Sequence, residues 1–207
     1  MTPTRRIDTP HGPAVAHLQL AGDPRAALVL GHGAGGGVAA RDLAAAARAA
    51  ADAGFGVVLV EQPYRVAGRR SPPRAPQLDA AWTAVVEALA GDELRGLPLV
   101  TGGRSAGARV ACRTAASTRA AGVLCLAFPL RPPRRSGGAP APSREDELDA
   151  VEVPVLVVQG ERDPFGMPPA GPRRRVVVVA GDHSLRTDLD AVAEAIRDWL
   201  GELPLAG

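Results

Sequence analysis

The sequence predicts an α/β fold in one domain: a mostly parallel central sheet with helices on both faces. Three observations carry this expectation. Short apolar runs rich in Val and Leu recur without strict polar alternation, as strands buried on both faces do. Segments of helical length separate them, and alternation of this kind gives a parallel sheet with right-handed crossovers. The chain has 207 residues, enough for a single self-sufficient core.

In chain order, the apolar runs are 27–30, 57–60, 97–101, 123–128, 155–159 and 176–179, preceded by an alternating edge strand around 15–20. The intervening helices are expected at 38–53, 77–90, 106–121 and 187–200. In the last, Leu189, Val192, Ala193, Ile196 and Leu200 fall on one face. Two stretches, 63–76 and 129–142, carry too much Pro and Arg to read as regular helix. Both follow strands, so both should overhang the carboxyl edge of the sheet, where open α/β folds bind ligands.

Composition narrows the function. Hydrophobic residues make up 46% and aromatic residues only 3%, so the core is aliphatic and stacking platforms for bases are not expected. All 24 basic residues are Arg; against 22 acids the net charge is +2, with no excess that would mark a nucleic-acid partner. Without Lys there is no Schiff-base or Walker-type lysine chemistry. Two cysteines, Cys112 and Cys125, are too few for a disulfide framework or a four-Cys zinc site and read as buried thiols. No signal-peptide pattern and no apolar run long enough to span a bilayer are present, so the expectation is a cytoplasmic protein without membrane association, cofactor or metal.

The chemistry concentrates in Gly103-Arg104-Ser105-Ala106-Gly107, between a strand and a helix. Gly-x-Ser-x-Gly in that context is the nucleophile-elbow pattern: a strained turn lifts the serine, and the helix N-terminus beneath it offers N–H groups to a developing oxyanion. A serine needs a base, and the base an orienting carboxylate. His183, in Gly181-Asp182-His183-Ser184, follows the last strand; Asp163, in Gly160-Glu161-Arg162-Asp163, follows the strand before it. Ser105, Asp163, His183 is the α/β-hydrolase order, with Ser105 attacking, His183 moving the proton and Asp163 fixing the imidazole. Glu161 and Asp182 are the rival carboxylates.

The loop Gly31-His32-Gly33-Ala34-Gly35-Gly36-Gly37 has two readings. It supplies the second oxyanion donor, with Ala34 N–H joining Ala106 N–H and His32 holding the loop by hydrogen bonds. Alternatively, Gly31-x-Gly33-x-x-Gly36 is a dinucleotide fingerprint with Glu61 as the ribose-binding acid, which would make the protein an NAD(P)-binding oxidoreductase. The second reading leaves Ser105, Asp163 and His183 without a role.

Leu30 to Gly35, Gly102 to Arg109, Gln159 to Gly166 and Gly181 to Leu185 together resemble small α/β-hydrolases. The nearest branch is the dienelactone-hydrolase-like group, with its testis-expressed and histone-acetyltransferase-complex-subunit relatives; Pro63-Tyr64 followed by Gly68-Arg69-Arg70 is similar to that branch too. The resemblance spans residues 26–200 and implies a capless three-layer α/β-hydrolase fold. It departs from dienelactone hydrolases at the nucleophile, which is Cys there and Ser105 here, so their substrate does not carry over. The resulting expectation is a serine hydrolase acting on small carboxylic esters or related acyl compounds, at an open, shallow site. Arg104, Tyr64 and Arg69 are its candidate substrate-binding residues, while Arg65, Arg70 and Arg74 complete a basic stretch at the same edge. The competing expectation is an α/β-hydrolase-fold binding or scaffold protein with little turnover.

Overall fold

A computed structural model describes residues 2–20, 22–132 and 142–205. Eight strands form one sheet in the order β1-β2-β4-β3-β5-β6-β7-β8. They are β1 (Thr4–Thr9), β2 (Gly12–Gln19), β3 (Ala26–Gly31), β4 (Phe55–Glu61), β5 (Leu99–Arg104), β6 (Gly122–Leu126), β7 (Val155–Gly160) and β8 (Arg174–Val179). From β4 to β8 across the sheet every pairing is parallel; β1 and β2 run antiparallel at one end.

The helices are α1 (Arg41–Asp52), α2 (Pro63–Val66), α3 (Ala75–Ala90), α4 (Ala106–Thr114), α5 (Glu145–Asp149) and α6 (Leu189–Glu202). Strand periodicity divides the core between two faces. Leu28, Leu30, Val57 and Leu59 point to the layer of α1 and α6. Val29, Val58 and Val60 point to α3, with Trp82 at its centre, while Val123, Cys125 and Val157 face α4 and α5. The alanine-rich sequence of α1 has a structural use: Ala46, Ala49 and Ala50 are buried, and side chains this small let the helix lie close against the sheet and α6.

Three expectations are corrected. The strand around 15–20 is not the edge: β2 lies between β4 and a further strand, β1, whose sequence TRRIDT buries only Ile7. The stretch 63–76 is not wholly irregular either. Pro63 opens α2 at its first position and Pro76 sits in the first turn of α3, where a missing N–H costs no intrahelical bond. The expected helix 106–121 ends at Thr114 and continues as turns. Of the loop 129–142, residues 133–141 lie outside the described residues; after it, the connection from β6 to β7 contains the short α5.

Leu124 is fully buried in central β6. Leu124→Ala should destabilise the protein by about 2–5 kcal/mol in urea unfolding. Val178→Ala, on an exposed position of β8, should stay within about 0.5 kcal/mol of the parent.

Candidate active site

The turn from β5 into α4 is built on close backbone contact. A Cβ at Gly103 would sit 2.5 Å from the Gly31 carbonyl oxygen, and one at Gly107 would sit 2.6 Å from that same atom. Only glycine at both positions lets β5, α4 and the end of β3 meet. Between them Ser105 takes φ 52° and ψ −107°, a backbone conformation that costs a non-glycine residue about 1–3 kcal/mol. Its N–H donates to Leu126 O at 2.9 Å, which ties the turn to β6.

Ser105 Oγ lies 3.0 Å from His183 Nε2, and His183 Nδ1 lies 2.8 Å from Asp163 Oδ2. The three residues come from the ends of β5, β7 and β8. Ser105 and His183 are partly exposed, whereas the Asp163 side chain is 1% exposed. Its Oδ1 accepts the Phe165 N–H at 2.9 Å, and its Oδ2 also accepts from Gln159 Nε2 at 2.8 Å. These donors satisfy a buried carboxylate. Gln159 is itself held by the Phe128 and Gly166 carbonyls, at 3.1 and 2.9 Å. The Phe165 ring lies against the imidazole, with centroids 4.3 Å apart. Of the rival carboxylates, Glu161 pairs with Arg162 at the surface, and Asp182 accepts the Ser184 hydroxyl and N–H within its own turn.

The acid and histidine loops are joined through their backbones. Arg162 N–H donates to Gly181 O at 2.9 Å, and a Cβ at Gly160 would sit 2.4 Å from Asp182 O.

Ala106 occupies the first position of α4, where a backbone N–H has no intrahelical acceptor. On the facing loop, Ala34 O accepts the Tyr64 hydroxyl at 2.8 Å. His32 is buried: its Nδ1 donates to Gly33 O at 2.9 Å, and its Nε2 accepts Gln62 N–H at 3.1 Å. That pattern requires the neutral ring, and burial pushes its pKa below the ordinary imidazole value. The glycine loop does not fit the dinucleotide reading. Its glycines do not open a helix: α1 begins only at Arg41, and Glu61 lies 3.5 Å from His17 at the end of β4.

The candidate substrate-binding residues separate in space. Arg104 turns inward: its Nη2 donates to His183 O at 3.0 Å, and its Nε lies 2.7 Å from Asp42 Oδ2. Asp42 is buried at the start of α1; burial raises its carboxyl pKa and Arg104 opposes the rise. Tyr64 is buried, with its hydroxyl on the glycine loop. Arg69 is exposed and lines a separate cavity beside α2. Asp42, Gln159 and Phe165 were not singled out from sequence. Of these, only Gln159 leaves a local trace, as the one polar side chain of an otherwise apolar run. Among the described residues no group of three or more His, Cys, Asp or Glu is placed to hold a metal ion, and no helix is long and apolar enough to cross a membrane.

A mostly parallel sheet with an antiparallel pair at one end, and a strained serine turn between a central strand and its helix, define the α/β-hydrolase class. The α/β-hydrolase domain family matches residues 24–192, and the chain belongs to that family. No curated protein matches the sequence. Among solved structures, the chain is similar to a Xanthomonas campestris α/β serine hydrolase without lid, at 20% identity and TM-score 0.72, covering 100% of this chain and 97% of that one. It is similar to Est1E from Butyrivibrio proteoclasticus, in a structure with ferulic acid bound, at 17% identity and TM-score 0.77, covering 96% and 98%. An α/β serine hydrolase homologue from Coxiella burnetii gives 17% identity and TM-score 0.75, covering 97% and 98%.

Gly107→Ala should lower the urea midpoint clearly, because the new methyl meets backbone at 2.6 Å; Gly35→Ala, where a Cβ meets nothing within 4 Å, should leave it nearly unchanged. His32 contributes to acid sensitivity. Its folded pKa lies below the ordinary value of 6.5, so below that pH the unfolded chain takes up a proton that the folded one resists. Stability should therefore fall as pH drops through 6.5 and below, and His32→Gln should flatten that part of the stability-against-pH curve measured by urea unfolding.

Proposed function

We propose that the protein is a serine hydrolase that cleaves small carboxylic esters through Ser105, His183 and Asp163. The observation that carries this is the continuous hydrogen-bonded line from Ser105 Oγ through both imidazole nitrogens to Asp163, with steps of 3.0 and 2.8 Å. His183 Nε2 takes the serine proton as Oγ adds to the ester carbonyl carbon, and returns it to the leaving alkoxide as the acyl-enzyme forms. Water then attacks the acyl-enzyme with His183 again as base, releasing the acid and restoring Ser105. Asp163 fixes the Nδ1–H tautomer and stabilises the imidazolium.

Ala106 N–H and Ala34 N–H are the proposed oxyanion donors. Arg104 and Tyr64 serve in this reading as braces: one fixes the His183 backbone, the other the glycine loop. The likeness to serine hydrolases, one of them described as lacking a lid, supports an open site for small acyl substrates. The resemblance to the dienelactone-hydrolase-like branch belongs to the same proposal and rests on the four sequence motifs. A scaffold role is the second reading; an engaged Ser–His–Asp line gives it less support.

A fluorophosphonate probe should label the protein and fail to label Ser105→Ala; labelling that survives would overturn the nucleophile. On p-nitrophenyl acetate, Asp163→Asn should reduce kcat by about 10⁴-fold by permitting the wrong tautomer. No turnover by the parent protein across short p-nitrophenyl esters would favour the scaffold reading.

A further inference from the structure

A cavity lies beside the catalytic edge, away from Ser105. It has a volume of about 400 Å³ and sits between the β1–β2 turn, α2 and the start of α3. Gly12 begins β2, and Val15 pairs with Glu61 at the carboxyl end of β4, so the turn stands at the same sheet edge as the elbow. The walls are mainly apolar, supplied by Pro13, Pro63, Tyr64, Val66 and Leu78.

Two arginines and a histidine from three different elements line the cavity: Arg6 from β1, His11 from the turn and Arg69 from the segment after α2. No Asp or Glu lines the cavity. Among the described residues neither Arg6 nor Arg69 forms an ion pair, unlike the neighbouring Arg5 or Arg109, Arg113 and Arg174, which meet carboxylates. Apolar walls under a rim of uncompensated positive charge complement a molecule with an apolar body and one anionic end. The volume falls within the range of small-molecule sites, about 300–1,000 Å³.

We propose that this cavity is a binding site for a small organic carboxylate, separate from the nucleophile. The carboxylate meets Arg6 and Arg69, which can each offer two parallel N–H donors, and the apolar body lies on Pro63, Val66 and Leu78. The inner wall of Gln62, Tyr64 and Leu78 separates it from a second space of about 10 Å³ that touches Ala106 and Gly107. That space has room for about one water, so a ligand does not pass through it to Ser105. Tyr64 stands in both linings and holds Ala34 O, which puts the bound molecule one side chain from the glycine loop.

Isothermal titration of the full chain with 4-phenylbutyrate tests this, with 4-phenylbutan-1-ol as the neutral analogue. The acid should bind with a Kd of about 1 mM or tighter, at least tenfold tighter than the alcohol. Arg6→Gln combined with Arg69→Gln should weaken the acid at least tenfold, and Ser105→Ala should leave it unchanged. Both arginines are exposed, so the double variant should keep the parent's urea midpoint. Equal affinity for acid and alcohol would show an apolar cleft without anion recognition and overturn the proposal. So would parent-like affinity in the double variant, or no heat at 10 mM acid. Binding lost in Ser105→Ala would place the molecule at the nucleophile and overturn it as well. The Ser105→Ala arm separates this result from any failure of the esterase reading, because binding here needs no turnover.

Discussion

The backbone crossing of β3, β5 and α4 is the constraint on which the rest of the site depends. At this point the Gly31 carbonyl stands where side chains on Gly103 and Gly107 would have to be. Removing both Cβ atoms lets the strand reverse into the helix within one residue, and that residue is Ser105, at φ 52°. The strain is local and the support is distributed: Ser105 N–H is tied to β6, and Arg109 N–H to Ser105 O at 3.2 Å. The same crossing brings the glycine loop against the elbow, so the proposed oxyanion donors derive their spacing from main chain rather than from rotamers.

From that fixed point, the other functional groups are placed by polar contacts that span the sheet. On one side Arg104, the residue before the serine, links buried Asp42 at the head of α1 to the backbone of His183. On the other, Gln159 at the end of β7 carries Asp163. Burial makes both arrangements stringent, since an unpartnered charge at Asp42 or Asp163 would have no water to satisfy it. Burial raises the Asp42 pKa, and the Arg104 guanidinium opposes that rise. Through Arg104, Asp42 is linked to the backbone of the histidine loop.

Much of this was legible in the sequence because it is written in local patterns. Val- and Leu-rich runs gave the strands from β3 to β8, and punctuating glycines gave the elbow. Short polar motifs at strand ends brought Ser105, Asp163 and His183 to one edge in the right order. What escaped was non-local. TRRIDT carries one buried residue, Ile7, and becomes β1 only because β2 offers a ladder. The prolines of 63–76 read as breakers, although at the first positions of α2 and α3 they fit the helix. Arg104 turns inward to Asp42, far away in sequence, and a basic residue beside an elbow serine carries no sign of whether it faces solvent or structure.

The sheet order explains why two different recognition surfaces can share one edge. Parallel strands β3 and β5 stand in the middle, so the elbow is flanked on both sides. Toward β7 and β8, the strand ends hold Asp163 and His183, and the cluster is polar, partly buried and tied together by side-chain hydrogen bonds. Toward β4 and β2 the direction of the chain reverses, and the antiparallel β2 brings the β1–β2 turn up to the same edge. The 400 Å³ cavity is walled by the turn, α2 and α3, and it shares Gln62, Tyr64 and Leu78 with the space beside the elbow. Tyr64 is then the residue where the two halves meet, with its ring in the cavity wall and its hydroxyl on the loop that faces Ser105.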